Sequence, residues 1–412
     1  MTPSHPSIGQ TYVQLALAVG RHVPGYVDAY FGPPEWKAQV DDREARPIPA
    51  LARDVAELSA AIESDTGLDP QRKDFLTRQV RAMETSLRIL QGEKLSLVEE
   101  AEGFFDITPT WTDEAVFEDA HRALGELLPP GGSLMERMAI RKKATELSVA
   151  QAEEVCPFVL ERLRCLTRER FPIPAEETLE LKFVSDQPWG AYNWYLGHCH
   201  SRIEINTDVP LYIVEEPGLV GLLAHEAYPG HHTELANKET KLYQQACYTE
   251  QCLSLLNAPS CVVSEGMATC ALEVLMDEDE QVAWLSDELF PRAGFGHLDA
   301  RQELAINKAQ EKLAGVVPNA AFLLHEQGVD AGEVGDYIQE YGLLSDVVAR
   351  KAVEFLSTPL YRSYAFTYYC GSELLRGLVE KTGHRDAWYT RLLTEPVTPH
   401  QIRHMSQPQL ST

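Results

Sequence analysis

The stretch His225-Glu226-Ala227-Tyr228-Pro229-Gly230-His231-His232 decides how this chain is interpreted. It contains three imidazoles and one carboxylate, and it directly follows the apolar run 219–224. Imidazole is a common zinc ligand, and a His-Glu pair on a helix supplies a ligand and a general base together. The stretch therefore predicts a zinc site with His225 as a ligand and Glu226 as the base.

The spacing within this stretch departs from the usual zinc-binding helix, where the second histidine follows the first by four residues. Pro229 occupies that position, and it can neither bind a metal nor continue an ordinary helix. On an ideal helix His231 lies roughly 120° around the axis from His225, whereas His232 returns to nearly the same face about 10 Å further along. A kink or bulge at Pro229 and Gly230 would bring His231 back towards His225. We predict His231 as the second ligand and keep His232 as the alternative.

A zinc site needs a third protein ligand. Glu265 is the best candidate, because it lies in an apolar helical stretch where an unpaired carboxylate is costly. Glu273 lies on roughly the same helical face, and we expect it to orient a ligand histidine. The alternative is that both glutamates face solvent.

The octapeptide, followed by Glu265-Gly266-Met267-Ala268, resembles the signature of a large bacterial family of unknown function. Its members carry His-Glu-Ala-x-Pro-Gly-His-His and then Glu-Gly-Trp-Ala, so Met267 stands where tryptophan is usual. That family is similar in fold to the gluzincin-like zinc metallopeptidases of the carboxypeptidase Taq type. The resemblance covers residues 180–380. It implies a mainly α, multi-helix zinc-peptidase fold with a small β-sheet beside the metal helix.

A tyrosine-rich segment, 359–371, supplies candidate substrate-handling groups. Tyr364 and Tyr368 are spaced so that they share one helical face. A tyrosine hydroxyl can donate to an oxyanion, and an arginine such as Arg362 can clamp a carboxylate. The segment resembles the C-terminal Ser-Tyr segment of the same family, which implies a catalytic role for Tyr368. We predict that Arg362 and Tyr364 bind substrate; aromatic residues at helical spacing are also typical of a core.

Short strands are predicted upstream of the octapeptide. The run 202–207 alternates polar and apolar residues, as a half-buried strand does, and 181–184 and 211–214 are further candidates. Zinc peptidases often have an edge strand beside the metal helix, to which an extended peptide can add through main-chain hydrogen bonds. We expect Asn206 and the aromatic loop 189–195 to line that cleft and contact substrate.

Helical periodicity dominates the rest of the chain. The predicted helices are 8–20, 51–65, 70–92, 112–127, 137–169, 301–313, 331–341 and 347–355. The fold class is therefore mainly α. We expect an N-terminal helical lobe over 1–172 and a catalytic zinc-binding lobe over 173–412, which can pack as one continuous domain around a cleft.

Composition restricts the class of partner and the compartment. The formal net charge of −26 argues against binding to nucleic acid. The start of the chain lacks the pattern of a signal peptide, and no apolar run reaches the length of a membrane span. The eight cysteines show no C-x-x-C pairing and are typical of reduced thiols. We therefore expect a cytoplasmic protein whose partner is a peptide or small-molecule substrate, without membrane attachment.

Together these features predict a zinc-dependent metallopeptidase that hydrolyses short peptides or chain ends and is carboxypeptidase-like. Zinc would be held by His225, His231 and Glu265, and Glu226 would activate water. One alternative is a metal-binding module without peptidase activity, which would not need the base. Another is a metal-dependent hydrolase of non-peptide amides or esters.

Overall fold

The computed structural model describes residues 7–187, 189–214 and 218–405. It is 65% helical, which confirms the mainly α fold class. The helices are α1 Ile8–Gly20, α2 Pro34–Asp41, α3 Ile48–Ser64, α4 Pro70–Leu90, α5 Leu97–Phe105, α6 Glu114–Leu127, α7 Leu134–Thr145, α8 Val149–Arg170, α9 Leu219–Glu226, α10 His231–Lys238, α11 Pro259–Thr269, α12 Ala271–Leu275, α13 Glu278–Trp284, α14 Phe290–Ala293, α15 Ala300–Glu311, α16 Val316–His325, α17 Ala331–Gly342, α18 Asp346–Leu356, α19 Ala365–Thr382, α20 Arg385–Thr394 and α21 Pro399–His404. The strands are β1 Val27–Tyr30, β2 Glu146–Leu147, β3 Thr178–Val184, β4 Ala191–Gly197, β5 His200–Asn206, β6 Leu211–Tyr212 and β7 Leu253–Leu255.

None of the described helices combines the length and the apolar character needed to cross a bilayer.

Two segments differ from the expectation drawn from periodicity. The predicted helix 137–169 is two helices, because Ser148 forms a capping box with Gln151 that starts α8 after the short strand β2. The aromatic segment expected to be a loop is largely the strand β4. Its aromatic residues suit a half-buried, pleated surface as well as they suit a loop.

The largest sheet has three strands in the order β3-β5-β4. The central strand β5 pairs in parallel with β3 and antiparallel with β4, so that Ile203 lies between Leu181 and Asn193. The edge strand β4 lies against α9, where the Asn193 side-chain amide donates to the main-chain carbonyl of Glu226 at 2.6 Å. The small sheet therefore lies beside the helix that carries His225, as expected.

Two large hydrophobic cores meet at α11. One core contains residues of α8, β5, α9, α12, α19 and α20, and includes Val263 of α11. The other joins α1, α3, α4 and α5 to β7, α16 and α18, and includes Val262 of the same helix. Because α11 is packed on both sides, the Glu265 that it carries has a fixed position.

Helices α11 and α19 cross with their backbones in contact at Gly266 and Gly371. A Cβ added at Gly371 would lie 2.5 Å from the carbonyl oxygen of Val262, and one added at Gly266 would lie 2.6 Å from the carbonyl carbon of Gly371. Real side chains do not reach such distances, so only glycine fits at this crossing. The close approach brings the start of α19, with Tyr364 and Tyr368, beside Glu265.

We predict that Gly371→Ala forces the two helices apart and lowers the free energy of unfolding by about 1–3 kcal/mol. Gly377→Ala is the matched control on the same helix, because a Cβ there meets nothing within 4 Å. That substitution should leave stability unchanged or raise it by up to about 1 kcal/mol, since alanine favours helix over glycine. Urea denaturation measures both, and equal stability of the two variants would show that the crossing tolerates a side chain.

Candidate metal centre

The octapeptide contains the end of one helix and the start of another. Helix α9 ends at Glu226, and α10 begins at His231, so the chain breaks where a kinked or bulged helix was expected. The turn between them is held by hydrogen bonds from the Gly230 N–H to the Ala224 carbonyl at 3.0 Å and from the Thr233 N–H to the Ala227 carbonyl at 3.2 Å. The Tyr228–Pro229 peptide is cis.

Gly230 is the residue at which this turn returns to the end of α9. A Cβ placed there would lie 1.8 Å from the carbonyl oxygen of His225. Only a residue without a side chain permits that approach. The next residue in the chain, His231, therefore lies next to His225.

Three side chains from three helices converge at this point. The Nε2 atoms of His225 and His231 are 3.1 Å apart, and Oε2 of Glu265 lies 3.4 Å from the first and 3.8 Å from the second. Donors held about 2.0–2.1 Å from a tetrahedral zinc ion are about 3.3 Å apart. Within the described part of the chain, His225, His231 and Glu265 form the only group of three or more His, Cys, Asp or Glu residues able to hold a metal ion.

The free oxygen of Glu265 fits a bound cation. Glu265 is 7% exposed. Its Oε1 accepts a hydrogen bond from the Tyr364 hydroxyl at 2.8 Å, whereas its buried Oε2 has no hydrogen-bond partner. A buried carboxylate oxygen without a partner is costly, and a metal ion at the convergence point would satisfy it.

His231 is oriented by a chain of polar side chains behind it. Its Nδ1 lies 3.1 Å from the Ser264 hydroxyl, which donates to Glu234, and Lys238 pairs with Glu234 in turn. Burial lowers the pKa of His231, but the carboxylates around it, Glu234 first, outweigh burial and raise the pKa to about 9. The surroundings therefore favour positive charge at this point, which suits a divalent cation.

His232 faces away from the convergence point. Its Nδ1 lies 2.8 Å from the Ser201 hydroxyl and its Nε2 lies 3.0 Å from Oε2 of Glu177. The same carboxylate accepts the Tyr228 hydroxyl at 2.7 Å and Arg164 at 2.6 Å. Burial raises the pKa of Glu177, but these hydrogen bonds outweigh burial and lower it to about 2. The geometry thus favours His231 as the ligand and gives His232 a structural role.

Glu177 is a residue that sequence reasoning missed. It is fully buried at the base of the octapeptide and fixes both Tyr228 and His232. The side-chain partners of its carboxylate are 9 to 55 residues away in the chain, so no local pattern marks it.

Glu226 and Tyr368 border the convergence point from different sides. Glu226 is 9% exposed, and burial raises the pKa of its carboxyl although the neighbouring imidazoles act in the opposite direction. The Tyr368 ring lies 6.3 Å from the His225 ring, nearly parallel to it, and is 44% exposed. Tyr368 therefore faces the open side, where a substrate would enter.

Tyr364 and Asn206, which were expected to bind substrate, both make hydrogen bonds within the protein. Tyr364 is buried and donates to Glu265, so it positions a candidate ligand. The Asn206 amide donates to the main-chain carbonyls of Gln187 and Trp189, at 3.0 and 2.9 Å. These bonds use both of its N–H donors, so Asn206 holds residues that precede β4.

Arg362 and Glu273 also have partners that correct their expected roles. Arg362 donates to Glu100 at 2.8 Å in a partly buried ion pair with α5, and to the main-chain carbonyl of Leu95 at 2.8 Å. Glu273 pairs with Arg376 on α19. The helix that was expected to place it near the histidines is interrupted at Cys270, so α12 turns it to a different face.

Comparisons with known proteins show similarity of fold. No family model matches the chain, and no curated protein matches it. A solved structure from Colwellia psychrerythraea, of a protein provisionally named a lipoprotein, has a TM-score of 0.52 at 16% identity, covering 85% of this chain. This chain spans 65% of the length of that protein. A second, from Shewanella oneidensis, is provisionally named a lipoprotein of unknown function; it has a TM-score of 0.47 at 12% identity, with 96% of this chain and 81% of that chain covered.

We predict that His231→Ala and His232→Ala separate metal binding from folding. His231→Ala should lose zinc, because it removes one of three donors. His232→Ala should lower the free energy of unfolding, since it leaves Glu177 buried with one partner fewer, but should retain about one zinc per folded chain. Metal analysis of both variants, at a temperature where circular dichroism shows them folded, checks this. Retention of zinc by His231→Ala together with its loss from His232→Ala would exchange their roles.

Tyr364→Phe should weaken zinc binding about 10- to 100-fold, because the hydroxyl that orients the Glu265 carboxylate is lost while the ring remains. Tyr368→Phe is the matched control from the same helical face and should leave zinc affinity unchanged. Competition with a chromophoric chelator measures both affinities. Equal affinities in the two variants would mean that the Tyr364 hydrogen bond does not support a ligand.

Proposed function

We propose that the protein is a zinc-dependent metallopeptidase that hydrolyses peptide bonds in short peptides or at chain ends. The observation that carries this proposal is the convergence of two imidazole nitrogens and one unpartnered carboxylate oxygen within 3.8 Å of one another, beside a second buried carboxylate. The set of donors fits zinc, with room in its coordination for water or substrate.

The residues of the chain have separate roles in this reaction. His225, His231 and Glu265 would hold zinc, which when bound acts as a Lewis acid on a carbonyl and lowers the pKa of water. A carboxylate oxygen of Glu226 would accept the proton of the attacking water and pass it to the departing amine.

Tyr368 would donate its hydroxyl to the oxyanion that develops on the scissile carbonyl. Its position on the open side, next to the His225 ring, supports this role. Tyr364 would act through Glu265 by fixing the orientation of that carboxylate.

Glu226→Gln tests the proposed chemistry. The amide is nearly isosteric and is not a zinc donor, so the variant should fold and keep its zinc, while turnover of peptides should fall about 100-fold or more. Glu273→Gln is the matched control, because the structure places that glutamate on Arg376, away from the metal-competent group. Turnover is measured by mass spectrometry on a peptide mixture, alongside zinc content.

Three results would contradict the proposal. Wild-type turnover in Glu226→Gln would rule out its role as the base. A fully zinc-loaded protein that cleaves no peptide would favour a metal-binding module, and cleavage of other amides or esters alone would favour a non-peptide hydrolase.

A further inference from the structure

The end of helix α9 is held by a side chain from the neighbouring sheet. In a continuous helix the carbonyl of Glu226 would accept the N–H of Gly230, four residues further on. That N–H instead donates to the carbonyl of Ala224 at 3.0 Å. The side-chain amide of Asn193 on β4 supplies the missing donor, at 2.6 Å from the Glu226 carbonyl oxygen. Asn193 therefore caps the helix at the residue that carries the candidate base.

The carboxylate of Glu226 depends on the main chain for its position. Charged neighbours act on this buried carboxylate, but none of the residues in the described ranges forms a hydrogen bond with it. Its orientation is therefore set by packing and by the backbone from which the side chain projects. A general base must lie within hydrogen-bond reach of the proton that it abstracts, so a small shift of that backbone is enough to impair it.

Strand β4 also contacts the second helix of the octapeptide. Tyr195 lies two residues after Asn193 and therefore on the same face of the strand. It is buried, and its hydroxyl donates to Glu239, the residue after α10. Glu239 also accepts the main-chain N–H groups of His198 and Cys199, both at 3.0 Å, in the turn after β4. One face of β4 thus contacts the ends of both helices, which the break in the octapeptide leaves without a shared ladder of hydrogen bonds.

The amide of Asn193 is firmly placed, but it is not the side chain that stability alone would favour. Asn193 lies opposite Ile203 of β5, which is fully buried in the same core as α9. Its Oδ1 is buried without a hydrogen-bond partner. An aliphatic side chain of similar size would not leave an acceptor unsatisfied. Because buried groups with incomplete hydrogen bonding are typical of functional sites, the contact with α9 supports a functional role for Asn193.

We infer that Asn193 is a positioning residue, whose amide holds the main chain of Glu226 and thereby the carboxylate that would accept the proton of water. This inference rests on the proposed peptidase function and deepens it. In the common zinc motif, the hydrogen bonds of one continuous helix supply this restraint. In this chain the helix is broken after Glu226, and a strand supplies the restraint from outside the helix.

The first test is Asn193→Leu, which removes the donor but keeps the approximate size of the side chain. In the zinc-loaded protein, kcat for peptide cleavage should fall on the order of 10-fold while KM changes by less than about twofold, because the base is displaced and the contacts to substrate are not. Wild-type kcat in this variant would overturn the inference.

Gln281→Met is the matched control for the loss of one amide donor. The side-chain amide of Gln281 on α13 donates to the main-chain carbonyl of Met276, directly after α12, at 3.0 Å. The variant thus loses the same kind of bond at the end of a different helix. It should keep the kcat and KM of the wild type.

A double-mutant cycle separates positioning from a general structural loss. If Asn193 acts through Glu226, then adding Asn193→Leu to Glu226→Gln should lower kcat by less than about twofold, because the base that it positions is already gone. A structural defect would lower kcat by the same factor in both backgrounds. A loss on the order of 10-fold in the Glu226→Gln background would therefore overturn the inference.

Hydrogen exchange tests the restraint without any activity. The N–H groups of Ala227 and Gly230 donate to carbonyls of α9. In the folded protein, Asn193→Leu should speed their exchange on the order of 10-fold, and Gln281→Met should not. Unchanged exchange in Asn193→Leu would overturn the inference. If no peptide is cleaved but the difference in exchange is present, the restraint on α9 stands and the peptidase proposal fails.

Discussion

The close approach of Gly230 to the carbonyl of His225 is the constraint on which the candidate site depends. A chain that leaves α9 must reverse within four residues to bring His231 beside His225, and a Cβ at position 230 would lie only 1.8 Å from that carbonyl oxygen. In the common zinc motif both histidines lie on one helix. Here they lie on two helices separated by a turn, and they still converge. The break also sends His232 into the opposite side of the turn, where Glu177 and Ser201 bind it.

A second close approach fixes the third candidate ligand. Helix α11 lies between the two large cores, and the contact of Gly266 with Gly371 packs α19 directly against it. The tyrosines of α19 then lie on two sides of the site, one hydrogen-bonded to Glu265 and one facing the open side. Packing in two cores supplies the rigidity that a set of metal ligands needs, because ligand geometry is only as exact as the elements that carry it.

Burying so many ionisable groups is costly, and the structure offsets that cost for some carboxylates but not for others. Where a carboxylate has a structural role, it is saturated with hydrogen bonds and its pKa is lowered, as with Glu177 and Glu234. Of the carboxylates that face the candidate site, Glu265 has an Oε2 without a hydrogen-bond partner, and burial raises the pKa of Glu226. Incompletely satisfied buried groups are typical of functional sites, where a ligand completes the set.

The sequence by itself determined the features that depend on near neighbours in the chain. Helical periodicity predicted the mainly α class and several helices to within a few residues, and the apolar run before the octapeptide predicted a helix that carries His225 and Glu226. The expectation that Glu265 is the third donor rested on the need for a third ligand and on the cost of a buried carboxylate, and the structure brings Glu265 within 3.4 Å of His225.

Only the tertiary structure decided the features that depend on distant partners. The choice between His231 and His232 followed from a turn whose geometry no helical wheel describes. Arg362 is held by Glu100, which is 262 residues away in the chain, and Tyr364 by Glu265, 99 residues away. A side chain's type and local spacing limit what it can bind, but its partner is set by which elements pack together, and that packing is a property of the whole chain.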